Sequence, residues 1–419
     1  MTTFLHNEEP AIVAGIKTAA IGKKGSKPLS ADLIRAITED IRHQKIKDVQ
    51  LGAFLGGLLM KGLTEEEKLL VSALPAGILS DPHQLCHFLA PQAPDAIKNI
   101  CANLIQKKEL DKNTAHQLGQ FLFSDLPGDG LRGLAASILR VRYETADEYE
   151  GLLKAISETI TPAFKNAPPA GKPIIQIAEP FDGVDQSNMI APLLADYLQS
   201  LHFRVVNLVG RNSGPKCVNN LSDIAEALKV KLLTESRSLT DQTTDFGWYI
   251  HQKNISPAID RWVDLRRQII KRPFLATLER FVNPVQADIV IASAFHPPYG
   301  EKMINVCERA GFPAAIIVRN GMEGTIAFSL LRATKILCTV KQLNGAYLRH
   351  EFEFDAQESL QRPVVVEEKI EKPSLEENVR LIKEYKTEGK THNVHFNLRI
   401  KATCAGITRA LKWINSVKQ

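Results

Sequence analysis

The chain is short of paired cysteines, of long apolar runs and, in one telling turn, of glycine. Its six cysteines (Cys86, Cys101, Cys217, Cys307, Cys338 and Cys404) are scattered without a CxxC pair. That excludes a disulfide scaffold and argues against a structural zinc site. We read them as reduced thiols and expect a cytoplasmic protein. Cys86 lies between His83 and His87, but one such cluster without a second half is assigned to packing, and no metal ligands are named. No stretch approaches the roughly 18 unbroken apolar residues of a membrane span. The start, MTTFLHNEEPAIVAG, lacks the basic and apolar regions of a signal peptide. What remains is ordinary for a globular chain: 44% hydrophobic and 24% charged residues over 419 positions, enough for two or three domains with separate cores.

Charge is unevenly placed. Residues 379–419 hold nine lysines and arginines against Glu384 and Glu388, a balance of +7 within a whole-chain +5. The basic character therefore belongs to the C-terminal segment, 366–419. In RIKATCAGITRALKWINSVK, helical spacing puts Ile400, Cys404, Ile407, Leu411 and Ile414 on one stripe. Such a stripe suits a helix docked on its own core. Arg399, Lys401, Arg409, Lys412 and the single aromatic Trp413 are the candidate nucleic-acid contacts.

Residues 1–160 read as helical and contain a duplication. The segment beginning at Leu29 aligns without gaps with the one beginning at Leu110, at an offset of 81. Gly52 then matches Gly133, Thr64 matches Thr145, and Glu67 matches Glu148. Thr64–Glu67 and Thr145–Glu148 both fit the box in which Thr and Glu satisfy each other's free N–H groups. Two three-helix units are expected, in domains spanning 1–95 and 96–165. NAPPAGK, Asn166 to Lys172, is the expected boundary.

From residue 172 to 365 the pattern changes. Short apolar runs (IIQIA, RVVNLV, ADIVIAS, PAAIIV) alternate with helical stretches at Asn188–Ser200, Asn220–Lys229 and Gly300–Arg309. This predicts an α/β domain with a mainly parallel sheet. Residues 245–283 return to helical periodicity and are expected to pack on the helical part. Ligands of such sheets bind beyond the carboxyl ends of the strands. Those ends are AEPFDGVDQSN, GRNSGPK, SAFHPPYGEK and RNGMEGT. The first is a strand, a turn and a helix start, the setting of a phosphate cradle. Yet the turn holds Glu179, Pro180 and Phe181 where glycines would let backbone approach a phosphate.

These loops, in this order over roughly residues 110 to 335, resemble the anthranilate phosphoribosyltransferase and pyrimidine nucleoside phosphorylase superfamily, glycosyltransferase family 3. The residues that carry the likeness are DGVDQSN, RRQIIKRPFLATLERFVNP, FHPPYGEKMINVCERAGFPAAIIVRNGMEG and the second helical copy. The resemblance implies a helical domain in 96–165, an extra copy before it, and an α/β domain of the phosphoribosyltransferase type. It also implies a homodimer formed through the helical domain, and pentosyl transfer with Mg²⁺ holding a diphosphate. Asp182, Gly183 and Asn188 match the diphosphate loop. Gly210, Arg211, Asn212 and Lys216 fall in the next loop, and Arg266 and Arg267 match arginines near the aromatic substrate. At the positions of the Mg²⁺-holding acidic pair stand Ile326 and Ala327, with Glu323 the nearby carboxylate; Mg²⁺ belongs only with use of phosphoribosyl diphosphate.

Two readings follow. One is a superfamily member with a degenerate diphosphate site that binds a nucleotide, another phosphorylated small molecule or nucleic acid. The other is a pentosyltransferase with a changed substrate, for which His296 is the candidate acid or base.

Overall fold

The computed structural model describes residues 9–22, 25–214, 216, 219–270, 272–294, 297–361, 363–364 and 373–417. His296 and Cys217 lie outside the described residues. The chain divides into two compact units, one of residues 1–156 and 261–275, the other of 157–260 and 276–419.

The first unit is helical, and several of its helix starts and caps recur at a spacing of 81 residues. Ser30 caps the helix Ala31–Arg42 by accepting from Leu33 N–H, and Asp111 caps Lys112–Leu122 by accepting from Thr114 N–H. The second helices, Asp48–Lys61 and Asp129–Arg142, are offset by 81 at both ends. Glu67 accepts from the N–H of Leu29 at 2.9 Å, and Glu148 from that of Leu110 at 3.0 Å. Lys61 pairs with Glu67 and Arg142 with Glu148, so each buried carboxylate keeps a cation, as burial requires. The third helices differ. Copy two runs Ala146–Glu158, whereas copy one makes only the 3₁₀ segment Glu67–Ala73, because Pro75 prevents its continuation.

The copies meet reciprocally. A Cβ on Gly52 would lie 1.8 Å from the Gly130 carbonyl oxygen, and one on Gly133 would lie 2.0 Å from that of Val49. Gly52 and Gly133 are equivalent positions, as are Val49 and Gly130. Contact of i with j and of j with i is the signature of a two-fold, self-complementary interface, here formed within one chain.

Residues 261–275 complete this unit. Trp262 Nε1 donates to the Leu122 carbonyl at 2.8 Å, and Phe123, Trp262 and Phe274 form an edge-to-face cluster. The boundary falls at Ile156/Ser157 instead of in NAPPAGK. Thr161 is already bonded to the second unit, donating its N–H to Ile255 O and its hydroxyl to Asn254 O, each at 2.8 Å.

The second unit holds one sheet. Its strands are β1 (Ile174–Ala178), β2 (Arg204–Val209), β3 (Lys231–Leu232), β4 (Trp248–His251), β5 (Ile289–Ala294), β6 (Ala314–Arg319), β7 (Thr334–Lys341) and β8 (Tyr347–Phe354). The order is β3-β4-β2-β1-β5-β6-β7-β8, parallel from β3 through β6, with β7 and β8 antiparallel. Every residue of β1, β2 and β5 is buried, as a sheet covered on both faces requires. The chain leaves β1 toward β2 on one side and returns with β5 on the other, so the crevice for a ligand opens beyond β1 and β5. Within 245–283, expected to be helical, WYIH forms β4.

The C-terminal segment docks on this unit through the helices Leu375–Glu388 and Val394–Val417. Ile400, Ile407, Leu411 and Ile414 are buried in its core, with Cys404 packed against them.

Candidate ligand crevice

Three loops meet beyond the ends of β1, β2 and β6, and their own side chains hold them together. Gly183 takes φ +74°, and a Cβ there would lie 2.1 Å from the Asn219 carbonyl oxygen. Only glycine permits both. Val184 and Asn219 exchange two backbone hydrogen bonds, 2.8 and 3.2 Å. Asn220 donates to the Phe181 carbonyl at 2.6 Å, and its own carbonyl oxygen caps the helix Leu221–Leu228.

The turn after Gly183 points its N–H groups at a carboxylate. Glu323 accepts from Asp185 N at 3.2 Å, Gln186 N at 2.7 Å, Ser187 Oγ at 2.9 Å and Lys216 Nζ at 2.6 Å. Consecutive backbone donors, a hydroxyl and a lysine make an oxyanion cradle, and its occupant is a side chain of the same protein. Burial pushes the Glu323 carboxyl up, but Lys216, the Gln186 N–H and the Ser187 hydroxyl outweigh it and hold it below the ordinary carboxylate range. Glu323 reaches the cradle from a left-handed conformation, φ 51° and ψ 21°.

A second carboxylate makes the reverse connection. Glu179, 1% exposed, accepts from the Ile326 N–H at 3.2–3.3 Å. Burial pushes its carboxyl up to about 8, against the Ile326 N–H and the charge of Arg280. Each loop therefore lends a carboxylate to the backbone of the other. From the C-terminal segment Asn378 seals the arrangement. Its amide accepts from Met189 N at 2.8 Å, donates to Met189 O at 3.1 Å and accepts from Asn219 Nδ2 at 3.1 Å.

The expected site residues separate into groups. Asp182, Gly183, Asn188, Lys216 and Glu323 lie in this constellation. Asp182 and Asn188 are buried, and neither amide atom of Asn188 has a hydrogen-bond partner. Ser213 Oγ is buried and unpartnered as well. Gly210 lies under the Phe181 ring, 2.6 Å from where its Cβ would be. Arg211 is tied to Asp260, at 3.0 Å to the carboxylate and 2.8 Å to the carbonyl. Asn212 closes its own turn by accepting from Gly214 N. Arg266 and Arg267 belong to the helical unit, where Arg266 is 1% exposed in the core and Arg267 is exposed beside Asp264. Ser187 and Asn378 were not anticipated. Glu179, standing where a glycine would let backbone approach a phosphate, is turned inward.

At the positions where the resemblance puts the Mg²⁺-holding acidic pair, Ile326 and Ala327 are buried among apolar side chains. The Glu323 carboxylate is already saturated, so these residues do not fit the ion. Among the described residues no group of three or more His, Cys, Asp and Glu could hold a metal.

Comparison with known proteins agrees with this architecture. A sequence model described as "Glycosyl transferase family, helical bundle domain" matches residues 18–69, which overlap the first of the two helical segments. Anthranilate phosphoribosyltransferase of Thermus thermophilus aligns over 77% of this chain and 100% of its own, at TM-score 0.53 and 17% identity. The Saccharomyces cerevisiae enzyme, solved with PRPP and Mg, aligns over 78% and 91% at TM-score 0.58 and 14% identity. The chain has the anthranilate phosphoribosyltransferase fold. An uncharacterised Aquifex aeolicus protein is 24% identical over 219 residues, 52% of this chain and 65% of that one. Within this phosphoribosyltransferase-like fold, no helix among the described residues is long and apolar enough to cross a membrane.

Proposed function

We propose that this protein is an anthranilate phosphoribosyltransferase-like chain that has given up phosphoribosyl diphosphate and binds nucleic acid. One observation carries the first half: the Glu323 carboxylate holds the donors that a diphosphate would need. Displacing it means breaking four hydrogen bonds and unpairing Lys216, each charged bond contributing about 1.5–3 kcal/mol. A second phosphate-like group cannot share the cradle with it. The absence of oxygen ligands at Ile326 and Ala327 argues in the same direction for Mg²⁺.

Support for nucleic acid comes from the C-terminal helices. Lys383, Lys390, Lys401 and Lys412 are exposed without ion-pair partners among the described residues, a spread of cations suited to a polyanion. Arg399 does not join them, because it is buried at 3% exposure.

The second reading, a pentosyltransferase with a changed substrate, is favoured by Asn188 and Ser213. Buried polar atoms without partners are costly, and a ligand hydroxyl would satisfy them. Thermal denaturation with phosphoribosyl diphosphate plus Mg²⁺, and separately with oligonucleotides, tests both. The first reading predicts stabilisation by oligonucleotide alone. Stabilisation by phosphoribosyl diphosphate, lost in Asn188→Ala, supports the second.

A further inference from the structure

The last helix presents its cations and its tryptophan together. At 100° per residue, Lys401, Arg409, Lys412, Trp413 and Ser416 fall within about one third of the helix circumference, opposite the buried stripe. At one side of that arc Arg409 and Trp413 reach the edge strand β8, whose Leu348, His350 and Phe352 alternate onto one face. Trp413 stacks on His350 with ring centroids 5.1 Å apart and planes 20° from parallel. The Arg409 guanidinium lies 4.5 Å over the Phe352 ring. His350 is exposed, Trp413 half-buried, and Leu348 44% exposed. A flat aromatic pair flanked by apolar surface, with lysine and arginine one turn away, suits a base and its phosphate side by side.

We infer that this surface is a stacking platform for single-stranded nucleic acid, with His350 and Trp413 taking a base while Arg409, Lys412 and Lys401 follow the backbone. The inference rests on the nucleic-acid reading above and gives it a site. A duplex keeps its base faces stacked within itself and cannot use the rings. Single strands are therefore the preferred partner.

Of the three tryptophans, Trp248 and Trp262 are 3% and 1% exposed, so Trp413 reports on its own surface. The full chain is titrated with an unstructured oligonucleotide and with a duplex of the same length, following tryptophan fluorescence at two salt concentrations. The expected result is quenching by the single strand. Trp413→Leu and His350→Ala should each weaken it on the order of tenfold. Lys412→Gln should lower the salt slope by about one. His350 is exposed, so His350→Ala gives the test even if Trp413→Leu fails to fold. Single-strand affinity unchanged in both variants, or equal duplex binding without quenching, overturns the platform and leaves the nucleic-acid reading standing. No binding of either oligonucleotide at low salt overturns both.

Discussion

Glu323 accepts the Gln186 N–H at 2.7 Å, across 137 residues of sequence, and fills the cradle of donors that follows Gly183. Its removal should separate two effects. Glu323→Ala leaves Lys216 and two backbone donors unpaired, so the protein should lose about 2–3 kcal/mol in denaturant unfolding. It should also acquire stabilisation by inorganic phosphate that the parent lacks. A variant that loses stability without gaining a phosphate response would reduce Glu323 to a structural tie.

The two carboxylates should show opposite pH dependence. Glu179 has its carboxyl raised from 4.5 to about 8, so the folded state keeps a proton that the unfolded chain releases between those values. Its contribution makes stability fall as pH rises through that window, by at most about 1.4 kcal/mol per unit. Glu323 has a lowered value, so its contribution is present above its ordinary carboxylate value and is lost as pH falls through the folded one. Unfolding curves near pH 5, 6.5 and 8 should show the Glu179 slope, and Glu179→Gln should flatten it.

Asn378 ties the C-terminal segment to the Met189 backbone with two hydrogen bonds from a fully buried amide. Asn378→Leu, similar in size but without donors or acceptors, should cost about 2–4 kcal/mol because Met189 loses its partners too. Hydrogen exchange should quicken at Met189 and Asn219 while the helical unit stays unchanged.

Gly52→Ala and Gly133→Ala drive a methyl into the carbonyls of Gly130 and Val49. Each should destabilise the helical unit by about 3 kcal/mol or more. Gly62→Ala, where nothing lies within 4 Å, should cost only about 1 kcal/mol for its positive φ. Light scattering decides what the extra helical segment does: twice the chain mass of 46.5 kDa is the homodimer that the resemblance implies, and the single-chain mass means that the segment caps that surface.

Much of this was legible in the sequence where burial speaks plainly. β1, β2, β5 and β6 are short, mostly apolar runs, and the matching Thr64/Glu67 and Thr145/Glu148 boxes were readable because a capping box is a local arrangement. β4 was hidden by helical periodicity on both sides. YLRHEFEF carries the period-two alternation of a half-exposed edge strand, Arg349, Glu351 and Glu353 against Leu348, Phe352 and Phe354, but not the apolar run by which the buried strands are read. The Glu323 latch left no sequence signal, because a carboxylate meeting the N–H groups of a distant loop exists only once the sheet brings the loops together. The buried Arg399 was missed for a similar reason: helical spacing identifies the apolar stripe but not how deeply its flanks are covered.

Occupation of the cradle by Glu323 is tested most directly by equilibrium binding of phosphoribosyl diphosphate with Mg²⁺ to the parent protein, by calorimetry, alongside Glu323→Ala. The parent should not bind, because Glu323 already holds the donors of Asp185, Gln186, Ser187 and Lys216. Saturable, Mg²⁺-dependent binding to the parent, with turnover in the presence of an aromatic acid, would contradict it and make the chain a working transferase.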